Sequence, residues 1–287
     1  VYRTYTASGN PTSQETRYIR SAVSQAALFR PDLVYEFEFL QKILLDNYEN
    51  PLDDPGTLQA LRNQAVSRFE QLSAPLTAKG FEDTVLYRFP LLLSLNEVGG
   101  APEQFGTDLR SFHEYLAERS EKWPHALSTS STHDSKRSED IRARLNVLSE
   151  IPEQWKDMVS RWRTLNKDKE IVSEGLPAPD DSDEYFLYQT MVGSFPTEKD
   201  TAPPYLERLE ECMIKSLREA KVHSSWHSPN EEYEKGVISF IRRILEPGPE
   251  NRFMAEFLPF CQKVARHGVF NTLSQTLVKI TAPGVPD

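Results

Sequence analysis

Apolar residues recur at helical spacing over most of this chain, and no other feature constrains its fold as strongly. Residues 14–29 form the first such stretch, and Thr12 stands just before it as a candidate cap. Only residues 2–6, residues 126–130 and the last few positions have the character of strands. The sequence therefore predicts a mainly α protein with only a few strand segments.

Prolines and glycines divide the rest of the chain. Pro75 and Pro90 are expected to interrupt or kink the longest helical segment, residues 57–98. Residues 168–183 contain one glycine, two prolines and several acids, which predicts an exposed loop. Further helices are predicted to open at residue 31 and to cover residues 105–122, 138–149, 153–165, 183–192, 204–221, 231–245, 252–267 and 271–280.

Charge and cysteine content exclude several classes of protein. The 287 residues carry a formal net charge of −10, whereas a nucleic-acid-binding face needs a basic surface. The two cysteines, Cys212 and Cys261, are too few for a disulfide scaffold and lack metal-ligand spacing. No apolar run approaches the ~18 residues of a membrane span. We therefore expect a cytoplasmic protein that binds neither nucleic acid nor membrane.

One short segment has the features of a catalytic loop. A Ser/Thr-rich run that could be a buried strand ends on His133 and Asp134, and a dense charged cluster leads from there into a helix. A carboxylate at the C-terminal end of a strand is where barrel enzymes keep their chemistry. Asp134 is therefore the leading catalytic candidate, although on the residues alone it could simply cap the following turn.

This segment, STHDSKRSEDIRARL, resembles the fourth conserved region of the α-amylase superfamily in the version found in maltooligosyl trehalose synthases. Four other segments are similar to the same family: VYRTY at 1–5, KGFEDTVLYR at 79–88, SLNEVGG at 94–100 and TAPGVPD at 281–287. The resemblance implies a (β/α)₈-barrel glycosidase with large helical insertions. Since the chain starts at Val1 and stops after a Pro-Gly-Val-Pro turn, we expect an excised segment of a longer polypeptide.

The resemblance also implies how the segment is organised. Residues 1–124 would form a helical excursion after a barrel strand, and residues 125–150 would hold strand seven, the catalytic loop and the next helix. Residues 151–270 would form a second helical subdomain, and residues 271–287 a helix leading to strand eight. Asp134 and Pro283 are 149 positions apart, far more than one crossover between neighbouring strands needs.

By the resemblance, the parent enzyme converts the reducing-end α-1,4 bond of a maltooligosaccharide to an α,α-1,1 bond by intramolecular transglycosylation. Asp134 would be the third acid of the family and His133 a donor to sugar hydroxyls beside it. Nothing in the chain matches the motifs of the nucleophile and the general acid, so we expect the isolated segment to be inactive. Its partners would be the glucan and the remainder of its own barrel, and no cofactor or metal is expected.

Other residues are candidates for binding substrate. The block that begins at Lys79 combines a long cation, the flexible Gly80 and the aromatic Tyr87. In the family that it resembles, such a block borders the subsite for the reducing-end glucose. Aromatic rings near the N-terminus could stack on glucose, and two cations follow Asp134 directly. The candidates are Lys79, Asp83, Tyr87, Tyr2, Arg3, Tyr5, Lys136 and Arg137.

Each of these has a structural interpretation as well. The block from Lys79 could be a helix kink with solvated charges, and the N-terminal aromatics could be barrel packing. The pairs Glu82-Asp83 and Glu139-Asp140 could lie at helix starts, where acids stabilise the helix dipole. Asn96 could be a helix C-cap and Trp226 a core residue.

Two other classes of function compete with a glycosidase segment. The first is a non-catalytic helical interaction domain, in which the charges around Asp134 are simply a surface loop. The second is an HD-type metal phosphohydrolase, in which His133 and Asp134 would join His113 or His125 on facing helices. The strand-like run before His133 argues against this second class, because the dyad would have to lie within a helix.

Overall fold

Helices dominate both units into which the contacts of this chain divide, Val1–Phe81 and Glu82–Asp287. The structure, a computed structural model, describes residue 6 and residues 11–45, 54–173, 175–196 and 202–287. The mainly α prediction is confirmed. Among the described helices, none is long and apolar enough to cross a membrane.

The first unit consists of α1 (Ser13–Phe29), α2 (Val34–Leu44) and α3 (Pro55–Gly80). The helix predicted after Thr12 is present and begins with a capping box, in which the side chains of Thr12 and Glu15 each accept the backbone N–H of the other. Its small core contains Ile19, Leu44, Leu45 and Val66.

The long segment predicted at residues 57–98 is not one helix. α3 continues through Pro75, and a π-helical turn, Phe81–Val85, follows it. The short helix α4 (Leu86–Arg88) then ends before Pro90. Pro90 therefore acts as predicted, because a proline disfavours helical backbone at the residue before it. Of the two effects predicted for Pro75, an interruption or a kink, the interruption does not occur.

The second unit has a large core, in which the side chain of Trp162 and one central helix are buried. Trp162 packs edge-on against Tyr188, Phe253 and Phe257, with ring centroids 5.5–5.6 Å apart. The central helix α8 (Asp181–Ser194) is buried on all sides from Phe186 to Gly193, as expected for a helix enclosed by others. The helices of this unit besides α4 are α5 (Leu109–Lys122), α6 (Glu139–Glu150), α7 (Pro152–Asn166), α8 (Asp181–Ser194), α9 (Ala202–Ala220), α10 (Glu231–Ile244) and α11 (Arg252–Thr281).

The two helices predicted at residues 252–267 and 271–280 are a single helix, α11. Gly268 lies inside it, where α11 packs closely on α6. A Cβ atom at this position would lie 2.9 Å from Cγ of Arg144 and 3.1 Å from its Cα. The glycine therefore permits a close helix contact and does not end the helix.

The loop predicted at residues 168–183 contains a β-hairpin instead. Strands β2 (Ile171–Ser173) and β3 (Leu176–Ala178) pair antiparallel, and Gly175 between them has a φ of 84°. Only glycine adopts such a backbone readily. The hairpin was missed because its strands have three residues each and one of them contains a proline.

Two further strands pair in parallel. In β1 (Leu127–Ser128) and β4 (Val285–Pro286), Leu127 lies opposite Val285. Strand character at residues 126–130 and at the C-terminus is therefore confirmed, and the two segments are neighbours in one small sheet. The strand predicted at residues 2–6 lies outside the described residues except for Thr6.

Candidate active site

The loop between β1 and α6 carries His133 and Asp134 at its tip. The backbone N–H of Thr132 donates to Oγ of Ser135 at 2.8 Å, and the N–H of Ser135 donates to the carbonyl of Thr132 at 3.1 Å. This turn leaves the side chains of His133 and Asp134 90% and 72% exposed, with Nε2 and Oδ2 3.4 Å apart. A donor and a carboxylate are thus presented side by side to solvent, where sugar hydroxyls could bind them.

Glu97 holds the C-terminal stem of this loop. Its Oε1 accepts the N–H of Lys136 at 2.8 Å, and its Oε2 accepts the N–H of Arg137 at 3.3 Å and Nη1 of Arg142 at 2.8 Å. Burial opposes ionisation of this carboxyl, but the hydrogen bonds outweigh it and keep the pKa of Glu97 below its usual value. An ionised acceptor is therefore built into the base of the loop.

Arg142 joins both stems of the loop. It donates from Nη1 to the carbonyl of Arg137 at 3.2 Å and from Nη2 to the carbonyl of Ser130. We call Glu97 and Arg142 together the loop clamp. The clamp binds both ends of the loop, so the side chains at its tip are positioned by residues that lie behind them.

The start of α6 is attached to the same loop. Oγ of Ser131 donates to the carboxylate of Glu139 and accepts the backbone N–H of Glu139 at 3.0 Å. The hydroxyl keeps the pKa of Glu139 below its usual value. Glu139 and Asp140 lie in the first turn of α6, so their predicted position at a helix start is confirmed.

Three of the predicted substrate-binding residues lie together. The Lys136 ammonium pairs with the carboxylate of Asp83 and lies 5.5 Å from the centre of the Tyr87 ring. Burial raises the pKa of Tyr87 to about 12, so its phenol is neutral at pH 7. Glu82 and Asp83 lie in the first turn of the π-helical segment, so their predicted position at or near a helix start is confirmed.

Arg137 lies beside this cluster, where it lines the same cavity as Lys136 and Tyr87. Arg137 directs its guanidinium over the ring of Phe186, 5.2 Å from the centroid, and not towards a carboxylate. Lys79 is exposed in the last turn of α3 and belongs to the first unit, which is described by itself. Tyr2, Arg3 and Tyr5 lie outside the described residues.

The structure tests the interpretation of Asn96 as a helix cap and that of Trp226 as a core residue. Nδ2 of Asn96 donates to the carbonyls of Leu86 and Phe89 at 2.7 Å each, so this side chain caps the C-terminal end of α4 as predicted. Trp226 was predicted to be a core residue, but it is 51% exposed. The guanidinium of Arg218 lies 5.1 Å from its ring centroid.

A group of possible metal ligands, Asp180, Asp183 and His223, was not foreseen. Nε2 of His223 lies 2.7 Å from Oδ2 of Asp180, and the hydroxyl of Tyr233 donates to Asp183 at 2.6 Å. Burial raises the pKa of Asp183 to about 6. Each of the three side chains thus already has a protein partner. Since 40 positions separate His223 from Asp183, no local spacing signals the group.

The ligands proposed for a metal phosphohydrolase do not form such a group. Among the described residues, neither His133 nor Asp134 is close to two further His, Cys, Asp or Glu side chains in a metal-binding arrangement, and the same holds for His113 and His125. The dyad also lies in a loop and not within a helix.

Comparison with known proteins shows a consistent set of relatives, although no protein-family model matches the chain. Proteins named maltooligosyl trehalose synthase from two strains of Mycobacterium tuberculosis are 36% identical to it over 220 residues. The match covers 77% of this chain and 27% of each relative. The chain thus spans about a quarter of the length of these curated relatives.

Solved structures give the same result. The maltooligosyltrehalose synthase of Arthrobacter ramosus matches with a TM-score of 0.73 and 30% identity, over 95% of this chain and 32% of that protein. A maltooligosyl trehalose synthase structure from Sulfolobus tokodaii matches with a TM-score of 0.68 and 31% identity, over 95% of this chain and 40% of that one. By sequence and by fold, the chain is similar to a segment of the maltooligosyl trehalose synthases.

Proposed function

We propose that this chain acts as part of a longer maltooligosyl trehalose synthase and supplies one of its catalytic carboxylates. In the proposed reaction, retaining chemistry opens the α-1,4 bond at the reducing end of a maltooligosaccharide. The released glucose stays bound and re-attacks through its anomeric hydroxyl, which forms the α,α-1,1 bond. The observation that carries the proposal is the exposed His133–Asp134 pair, held by the loop clamp at the end of β1.

Asp134 is assigned to binding sugar hydroxyls at the subsite where the glycosidic bond breaks, with His133 as a donor beside it. An oxocarbenium-like transition state distorts the ring and strengthens such hydrogen bonds, so the carboxylate stabilises the transition state more than the ground state. The nucleophile and the general acid would come from the remainder of the barrel, since no residue of this chain is assigned to either role.

The pairing of β1 with β4 supports a barrel. Parallel neighbours need a crossover connection, and here more than 150 residues of mostly helical chain lie between the two strands. We assign β1 and β4 to strands seven and eight of a (β/α)₈ barrel and keep the division into residues 1–124, 125–150, 151–270 and 271–287. The last of these boundaries falls inside α11.

The substrate would be a maltooligosaccharide, and the cluster of Lys136, Asp83 and Tyr87 supports a sugar contact. A paired cation and carboxylate next to an aromatic side chain offer donors, acceptors and apolar surface to one glucose unit. Lys79, Arg137, Tyr2, Arg3 and Tyr5 are further candidates for this contact. The helical insertions would exclude water from the released glucose, which would otherwise be lost to hydrolysis.

Replacing Asp134 by Asn in the complete enzyme tests the assignment. We expect kcat to fall by about two orders of magnitude or more while the maltooligosaccharide still binds, because the lost contacts strengthen only in the transition state. Steady-state kinetics and binding calorimetry would measure both effects. Asp157→Asn, on the exposed side of α7, is the matched control and should retain activity. Activity of the Asp134 variant within about tenfold of the parent would assign Asp134 to the turn and not to catalysis.

The 287-residue chain by itself is expected not to cleave glycosidic bonds. Two of the three carboxylates of the proposed mechanism are not assigned within it, so a covalent glycosyl intermediate cannot form. Incubation with maltopentaose and measurement of the products would check this. Cleavage by the pure chain that is lost in Asp134→Asn would contradict the proposed division of roles.

A further inference from the structure

A cavity of about 480 Å³ lies between α6, α8 and α9, behind the catalytic loop. Its wall is rich in positive charge. Five cationic side chains and one carboxylate line it: Lys136, Arg137, Arg144, Arg208, Lys215 and Asp140. This local excess contrasts with the formal charge of −10 of the whole chain.

Some of these charges have partners elsewhere. Lys136 pairs with Asp83, and the single carboxylate, Asp140, accepts the hydroxyl of Thr272 on α11 at 3.0 Å. Arg144 donates to the carbonyls of Gly193 and Phe195 at 3.3 and 3.0 Å. Carbonyl acceptors satisfy hydrogen bonds but carry no formal charge, so the charge of Arg144 is not neutralised by them.

Arg137 and Lys215 differ from Lys136 and Arg144, because among the described residues no carboxylate or carbonyl oxygen pairs with either side chain. The guanidinium of Arg137 is half-buried on the face of Phe186, and burial lowers its pKa because the charged form is desolvated. A bound anion would supply the missing counter-charge where water is scarce, and a guanidinium binds the oxygens of a phosphate in a fork geometry.

We propose that this cavity is a binding site for a phosphate monoester of about the size of a hexose phosphate. Its volume lies within the range of small-molecule sites, of roughly 300–1,000 Å³, and exceeds what a single phosphate ion would fill. Arg137 and Lys215 would bind the phosphate group. Ile141 and Leu209 line the same cavity and would contact the carbon skeleton.

Calorimetric titration of the 287-residue chain tests this site at constant ionic strength. The probes are glucose 6-phosphate, inorganic phosphate and glucose. We expect saturable binding of glucose 6-phosphate with a Kd in the millimolar range or below, weaker binding of inorganic phosphate and none of glucose. Arg137→Met and Lys215→Met should each weaken the binding of glucose 6-phosphate by about tenfold, as the loss of a charge-assisted hydrogen bond predicts.

Arg110→Met is the matched control, since Arg110 is exposed, pairs with Glu114 and does not line the cavity. It removes the same charge and should leave the affinity unchanged. Lys215 is exposed, so its variant keeps the test valid if Arg137→Met does not fold by circular dichroism. Absence of saturable binding, equal weakening in the Arg110 variant, or inorganic phosphate binding as tightly as the ester would each overturn the proposal.

Discussion

At the residue scale, the geometry of the candidate site depends on Glu97 as much as on Asp134. Glu97 accepts hydrogen bonds from two loop amides and from Arg142, whereas the pair at the tip of the loop is held by the turn alone. A half-buried acceptor with several donors, such as Glu97, leaves those donors unsatisfied when it is removed. The stability of the loop should therefore respond to Glu97, and its chemistry to Asp134.

Glu97→Gln should lower the free energy of unfolding at pH 7 by about 1–3 kcal/mol, because the amide group offers one acceptor oxygen in place of two and loses the charge. The folded-state pKa of Glu97 lies below the usual value of 4.5. Its stabilisation is thus fully present above that value and is lost as pH falls through the folded-state pKa. Urea unfolding at pH 7 and near pH 3 should show the difference between parent and variant shrinking in acid.

Glu103→Gln is the control for this substitution, because Glu103 is exposed, and it should change stability by less than about 0.5 kcal/mol. The amides of Lys136 and Arg137 should also exchange hydrogen faster in the Glu97 variant alone. Unchanged exchange at these two amides would show that Glu97 does not hold the loop.

At the scale of elements, the contact of α11 with α6 holds the helix that follows the loop of His133 and Asp134. α6 follows the loop directly, and Asn271 of α11 donates to the carbonyl of Ala143 at 2.9 Å. Because Gly268 has no side chain, α11 can approach α6 until Gly268 lies against the backbone of Arg144. A side chain at this position would push the helices apart.

Gly268→Ala should therefore destabilise the chain by about 1 kcal/mol or more. The overpacking cost of about 1–3 kcal/mol exceeds the gain of about 1 kcal/mol in helix propensity. The comparison is with Gly248→Ala, where a Cβ would meet no atom within 4 Å and stability should stay constant or rise slightly. Urea midpoints distinguish the two, and equal midpoints would mean that the helices separate at no cost.

At the scale of the whole molecule, the aromatic core belongs entirely to the second unit. The cluster around Trp162 draws its members from α7, α8 and α11, and the first unit has a separate small core. A core of this size should support folding without the first unit.

The excised segment 82–287 should therefore unfold cooperatively in urea, as observed by tryptophan fluorescence, since all four tryptophans lie within it. Trp162→Ala in that segment should cost about 3–5 kcal/mol, the range for a fully buried large side chain. Trp226→Ala, at an exposed position, should cost far less. A segment without a cooperative transition would show that the second unit depends on the first.

Helix starts, the mainly α content and the motif around Asp134 were determined by the sequence itself. Capping by Thr12 and Asn230, the apolar stripes and the Ser/Thr-rich run before His133 all act within a few residues, where sequence pattern and backbone geometry correspond directly. For the same reason Pro90 ended a helix as predicted.

Only the tertiary structure decided the rest, because the deciding contacts join residues far apart in the chain. Gly268 lies inside a helix and packs against Arg144 of another helix. Leu127 pairs with Val285 across more than 150 positions. Glu97 reaches the loop of Asp134 from 39 positions before Lys136. Local pattern carries no information on such neighbours, and packing alone brings them together.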